Sequence, residues 1–182
     1  AIRCATKLNF LHFAKPYIGK STYTWHYKLV DTQTHNFYET NADELVTRYR
    51  RNDSRSAGNP GIAAWFRRAF NNRTRILDIG CGSGRDICEL RKLGLDAEGV
   101  DAAPAMIRAA VNADPTLKNH IRPDSLPELA TCNDESYDGI VCAAVLQHLP
   151  EDRLFDAAFA FKRILAPGGR LLRKVQSASF LA

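Results

Sequence analysis

Arg75-Ile76-Leu77-Asp78-Ile79-Gly80-Cys81-Gly82-Ser83-Gly84 joins a short apolar run to three glycines spaced two apart, and residues 85–93 continue with helical spacing. Ile76, Leu77 and Ile79 have the make-up of a buried strand. Glycines are needed where the backbone turns sharply at a strand end and where a bulky ligand must touch main-chain atoms. The amides that open the following helix lack intrahelical acceptors and are predicted to supply donors. A glycine triplet alone says only that a backbone comes close to a ligand, so the rest of the chain has to decide which one.

Downstream, short strands and helices alternate. The helix at 85–93 stops at Gly94, a natural C-cap. Residues 97–100 form the next strand candidate, and Pro104 opens another helix. Residues 137–144 are a long apolar strand and residues 151–165 an amphipathic helix. Pro167-Gly168-Gly169 is predicted to turn into a last strand at 170–172. Strands alternating with helices imply a parallel sheet covered on both faces.

Upstream, Asn41 followed by Glu44 has the capping-box pattern of a helix start. That helix should stop near residues 52–53, and residues 52–58 read as a loop. Asn59-Pro60 is predicted to open a second helix, with Ile62, Trp65, Phe66 and Ala69 on one core-facing side. Residues 1–37 show no clean period, although residues 23–30 have the composition of an edge strand. The organisation expected is therefore an extension of unclear structure (1–37) and one domain (38–182), with helices at 41–70 and an alternating core at 75–172.

With 45% apolar and 25% charged residues, the 182-residue chain is ordinary for a soluble globular protein. No apolar run approaches the roughly 18 to 20 residues that cross a bilayer, so no membrane partner is expected. The start lacks the layout of a secretory signal. Met106 is the sole methionine, which reads as a fragment or a processed form. Cys4, Cys81, Cys88, Cys132 and Cys142 form no C-x-x-C pair and the histidines do not cluster. This argues against a disulfide framework or a zinc site, predicts no metal, and makes a reducing, cytoplasmic setting the default. Residues 1–75 carry 13 Lys and Arg against 5 Asp and Glu (+8), and residues 76–182 carry 12 against 15 (−3), matching the net +5. A basic front half suits nucleic acid or acidic substrates, or simply a solvated helical surface.

Two features narrow the ligand of the glycine turn. Asp101 ends the second strand 21 residues after Gly80, close to the offset of about 20 expected for an acid that accepts from ribose hydroxyls. A residue of this type also caps helices, and a helix is predicted from Pro104. Dinucleotide turns, G-x-G-x-x-G/A, need a small sixth residue so that the helix can cradle a pyrophosphate. Here the sixth position is Arg85, which disfavours a dinucleotide and suits a ligand without a pyrophosphate.

Further motifs follow in order: Gly99-Val100-Asp101, Pro104-Ala105-Met106-Ile107, Asp124-Ser125-Leu126-Pro127, Tyr137-Asp138-Gly139-Ile140-Val141 with Val145-Leu146-Gln147-His148-Leu149, and Leu165-Ala166-Pro167-Gly168-Gly169-Arg170-Leu171. Together with the glycine turn they resemble the class I S-adenosylmethionine-dependent methyltransferases over residues 38–172. The resemblance implies an α/β fold with a doubly wound, mostly parallel, Rossmann-like sheet and N-terminal helices, and S-adenosyl-L-methionine as cofactor. It implies that Asp78 faces the methionyl ammonium and that Gly80, Gly82 and Gly84 form the turn along the methionyl tail and ribose. Asp101 would hold the ribose hydroxyls. Asp124 would accept from the adenine amino group, with the Ser125 or Leu126 amide donating to the ring, and Ala143 would offer its carbonyl near the reactive end. Family members usually continue past the fifth strand into a helix and an antiparallel strand pair, so the sheet is expected to be truncated after that strand.

Methyl transfer from a sulfonium is an in-line displacement, in which alignment alone contributes on the order of 7–11 kcal/mol. A general base is needed only where the acceptor's proton must leave early. His148, just beyond the fourth strand, is the candidate base, beside the plainer reading of a structural histidine. The expected activity is methyl transfer to a small molecule. Alternatives are an RNA or other nucleic-acid acceptor, and a non-catalytic cofactor-binding module.

Overall fold

The computed structural model describes residues 32–51, 61–71 and 74–174. Three helices lead: α1 (Thr32–Thr40), α2 (Ala42–Arg51) and α3 (Gly61–Ala69). The alternating part runs β1 (Arg75–Ile79), α4 (Arg85–Lys92), β2 (Asp96–Asp101), α5 (Pro104–Ala113), β3 (Ile121–Pro123), β4 (Tyr137–Ala143), α6 (Leu154–Ile164) and β5 (Leu165–Lys174). The candidate strand at 23–30, the loop at 52–58 and the helix start at Asn59-Pro60 lie outside the described residues, as does 175–182.

Every strand pairing is parallel, in the order β3-β2-β1-β4-β5. This is the expected doubly wound α/β sheet. From β1 the chain steps outward through β2 to β3, then returns so that β4 lies on the other side of β1. Such a reversal leaves a crevice at the carboxyl ends of β1 and β4, because the adjoining helices pack on opposite faces. Asp138 helps fix the start of this central pair: its Oδ2 accepts from Thr74 N (3.1 Å), Thr74 Oγ1 (2.7 Å) and Arg75 N (3.0 Å).

Period-two alternation divides the core. Leu77, Ile79, Ile140 and Cys142 meet Ala157, Ala160, Phe161 and Ile164 of α6 on one face. Ile76, Val141 and Ala97 meet Phe66, Phe70, Ile87 and Leu90 on the other. A smaller cluster docks α2 on α5 through Leu45, Val46, Met106 and Ala109.

Four details differ from the sequence reading. Asn41 does precede a helix, α2, as expected, and its carbonyl accepts from Leu45 N at 3.0 Å, but another helix lies ahead of it. It sits at the one-residue break between α1 and α2, and its Nδ2 donates to Phe37 O at 2.8 Å. The predicted boundary between residues 37 and 38 therefore falls inside α1. On α3, Phe66 is fully buried but Trp65 is 60% exposed, not core. Phe66 stacks near Phe70 (centroids 6.3 Å apart), which turns the helix so that the neighbouring Trp65 lies outside. Finally, Pro167-Gly168-Gly169 does not precede the last strand. It forms a bulge within β5, where Tyr137 pairs with Leu165 but Gly139 with Arg170. Among the described residues β5 is an edge of the sheet, with Leu171 41% exposed.

Candidate functional site

A cleft of about 890 Å3 opens at the carboxyl edge of the sheet, under α1 and α2. Its floor is the glycine turn. Gly80, Gly82 and Gly84 all have left-handed backbones, at φ 71°, 49° and 69°, a conformation costing side-chain-bearing residues roughly 1–2 kcal/mol. A Cβ on Gly80 would lie 2.3 Å from Val145 Cγ2, and one on Gly84 2.4 Å from Leu117 Cδ1. Gly84 packs on Leu117 and is not part of the cleft wall, whereas Gly80 and Gly82 are. The turn's amides are already engaged: Gly80 N and Cys81 N donate to Val100 O (2.8 and 3.0 Å), Gly82 N to Asp101 Oδ2 (2.8 Å) and Gly84 N to Cys81 O (2.9 Å). The glycines therefore present a surface without side chains, not a row of donors.

Carboxylates dominate the floor. Asp78, at the end of β1, is 3% exposed, and its pKa stands well above the ordinary range because burial, then the nearby Asp86 and Asp101 charges, oppose ionisation; Arg85 opposes the shift. Asp86 is also buried and accepts from Arg85 Nε at 2.7 Å. The sequence reading missed Asp86, although its place on the apolar side of α4, beside Ile87 and Leu90, is a detectable signal. Asp101 accepts from Gly82 N through Oδ2 and from Ala103 N (2.9 Å) through Oδ1. Burial raises its pKa; the two amides and His35 pull it back, and Glu39 adds to the rise. Asp101 thus does brace the chain ahead of α5, yet each oxygen keeps a second lone pair for a ligand.

Asp124 follows β3 and lines the cleft with Ser125 and Leu126. Its carboxylate faces its own loop: Oδ1 accepts from Ser125 N (2.8 Å) and Ala130 N (3.1 Å), Oδ2 from Thr131 N (2.8 Å) and Thr131 Oγ1 (2.6 Å). Four donors fill the roughly four lone-pair positions of a carboxylate. The expected bond from Asp124 to an adenine amino group has no acceptor position left, and the Ser125 amide is likewise spent within the loop.

The opposite wall comes from β4 and the leading helices. Ala143 ends β4 and lines the cleft, and His148 lies in the short 3-10 turn Leu146–His148 beyond it. The His148 ring meets Tyr38 of α1 edge-on, with centroids 6.1 Å apart. Tyr38 is hydrogen-bonded to Tyr49, and its pKa is pushed up to about 12 by burial, then by Tyr49 and Asp101. Arg50 clamps this cover onto the floor: its Nε donates to Ser83 O (3.3 Å) and its Nη2 to Asp114 Oδ2 (3.3 Å). His35, Tyr38 and Tyr49 carry no sequence signal of their own, because only the packing of α1 and α2 brings them to the site.

The ends of β3, β2, β1 and β4 place Asp124, Asp101, Asp78 and Ala143 in a row, and strand spacing makes that row roughly 14 Å long. The row suits an elongated nucleoside joined to an amino acid. Buried Asp78, with Asp86 beside it, favours a cationic end there, and Asp101 favours a diol in the middle. S-adenosylmethionine has both features, so the residues fit it.

Comparison with known proteins agrees. The sequence model of a protein family described as "Methyltransferase domain" matches residues 45–182. The ubiquinone biosynthesis O-methyltransferase of Xanthomonas oryzae pv. oryzae (strain PXO99A) is 31% identical over 99 residues, 53% of this chain. The match spans 41% of that curated relative's length. The PH0226 protein of Pyrococcus horikoshii OT3 is similar in fold, with a TM-score of 0.62 and 20% identity over 78% of this chain and 65% of that one. A DhpI–SAH complex gives a TM-score of 0.58 and 23% identity over 80% and 69%.

Proposed function

The chain belongs to this methyltransferase-domain family, whose cofactor is S-adenosylmethionine, and from that premise we propose that it methylates an oxygen of a small aromatic acceptor. The carrying observation is the cleft itself, with acids along the cofactor row and an aromatic wall of Tyr38, Tyr49 and His148 beside it. Among the described lining residues Asp78, Asp86, Asp101 and Asp124 face Arg85 as the one Lys or Arg. That field attracts a cation and repels a polyanion, which disfavours an RNA acceptor. The O-methyltransferase relative supports oxygen as the receiving atom.

When bound, S-adenosylmethionine supplies a methyl group activated on a sulfonium. Asp78 and Asp86 stabilise the cationic end, and Asp101 offers its remaining lone pairs to the ribose hydroxyls. Gly80 and Gly82 let the ligand lie directly on the backbone. Tyr38 and His148 exclude water and pack against the acceptor ring, which fixes its hydroxyl for in-line attack. Tyr38, with its pKa near 12, stays protonated at neutral pH and cannot be the base. His148, which lines the cleft from the turn beyond β4, accepts the hydroxyl proton.

Incubation with methyl-labelled cofactor and a panel of phenols, catechols and RNA tests this reading. Label should appear on a small phenolic oxygen and not on RNA. His148→Asn should lower turnover about 10²- to 10⁴-fold while leaving the affinity for S-adenosylhomocysteine within about twofold. Label on RNA alone would replace the acceptor assignment, and full turnover by His148→Asn would remove the base.

A further inference from the structure

The loop that closes the β3 end of the cleft is held by a polar chain with a defined hydrogen-bond direction. Thr131 Oγ1 donates to Asp124 Oδ2 at 2.6 Å and accepts from Arg122 Nε at 2.9 Å. Arg122 reaches on through Nη1 to Glu98 Oε2 (2.8 Å) and through Nη2 to the Tyr137 hydroxyl (3.1 Å), which itself donates to Glu98 Oε1. Burial works against the Arg122 charge, but the bond to Tyr137 and the Glu98 charge outweigh it, so the guanidinium stays ionised. The planar fork of Arg122 thus ties β2, β3 and the start of β4 to one threonine hydroxyl. That hydroxyl completes the four-donor set on Asp124, and Asp124 N donates to Asp101 O at 3.2 Å.

We infer that Asp124 is a positioning residue rather than a ligand of the base, and that Arg122 and Thr131 set the shape of the base-binding wall through it. The inference rests on the S-adenosylmethionine reading of the cleft. Saturation of the Asp124 carboxylate leaves recognition of the base to the shape and main chain of the 124–131 loop. Loosening the chain at Thr131 then weakens every ligand carrying a purine in this position by the same factor. A direct bond from Asp124 to the adenine amino group behaves differently, because removing the threonine donor frees a lone pair and sharpens the preference for adenine.

Thr131 is exposed and valine has its shape, so Thr131→Val removes the hydroxyl with little effect on the core. The probes are S-adenosylhomocysteine and its hypoxanthine analogue, S-inosylhomocysteine, titrated into wild type, Thr131→Val and Thr131→Ser. Expected is a weakening of about tenfold for both ligands in Thr131→Val, an unchanged ratio between them, and recovery in Thr131→Ser. Wild-type affinity in Thr131→Val overturns the inference, and so does a ratio that moves toward adenine. Absence of S-adenosylhomocysteine binding in wild type removes the cofactor reading and the inference together, so the two failures are told apart by the wild-type titration.

Discussion

Asp78 carries the sharpest consequence at the scale of single residues. Its folded pKa lies above the ordinary value near 3.8, first through burial and then through Asp86 and Asp101. The folded state therefore holds the proton to higher pH than the unfolded chain does. Stability is greatest below the unfolded pKa and is lost as pH rises through the folded one. Asp78→Asn removes that loss, so the ligand-free variant should be more stable than wild type at pH 7, by on the order of 1–3 kcal/mol. The same change should cost at least about tenfold in S-adenosylhomocysteine affinity, because a charge-assisted bond to the ligand ammonium is lost. Chemical denaturation at several pH values, paired with titration calorimetry, checks both. A variant less stable at neutral pH would mean that the buried carboxylate stabilises the fold. The places of Asp101 and Ala143 at strand ends, and of Asp78 one residue before the end of β1, were legible in the sequence because strand ends follow from apolar runs. The orientation of the Asp124 carboxylate was not, since it depends on Ala130 and Thr131 folding back upon it.

Among the elements, the glycine turn separates two reasons for glycine that look identical in sequence. Gly80 and Gly94 both have left-handed backbones, at φ 71° and 81°. A Cβ on Gly94 meets nothing within 4 Å, whereas one on Gly80 meets Val145 Cγ2 at 2.3 Å. Gly94→Ala should therefore cost only the conformational strain, about 1–2 kcal/mol. Gly80→Ala should add the displacement of Val145, for a total of about 3–4 kcal/mol, and should distort the cleft floor. Urea denaturation of the two variants measures the difference, and equal losses would show that the Val145 contact is readily relieved. The strands and the helices of the alternating part were readable because their periods differ, 2 against 3.6. The leading helices were read in part: α2 begins just after Asn41 and ends at Arg51 as expected, but α1 ahead of it was not read. Trp65 fits a helical stripe, but the Phe66–Phe70 contact decides which side of α3 faces in. Local pattern supplies a face and not its rotation.

For the whole molecule, topology does the positioning. Parallel order with a reversal between β1 and β4 brings residues as distant as Asp78 and His148 to one crevice, and α1 and α2 close it from above. Acids gather on the floor of the cleft, and Arg50 of α2 clamps the cover onto it. The family was legible because its motifs sit at strand ends in fixed order. The cover was not, because Tyr38, Tyr49 and Arg50 come together only through helix packing. Titration of S-adenosylhomocysteine into the wild-type chain and Asp101→Ala, with unfolding midpoints recorded for both, tests the central claim that this cleft holds the cofactor. The account predicts one-to-one binding by wild type and a loss of at least about tenfold in a folded Asp101→Ala, since charge-assisted bonds to the ribose are removed. Equal binding by the two proteins, or binding of NADH in place of S-adenosylhomocysteine, would contradict it.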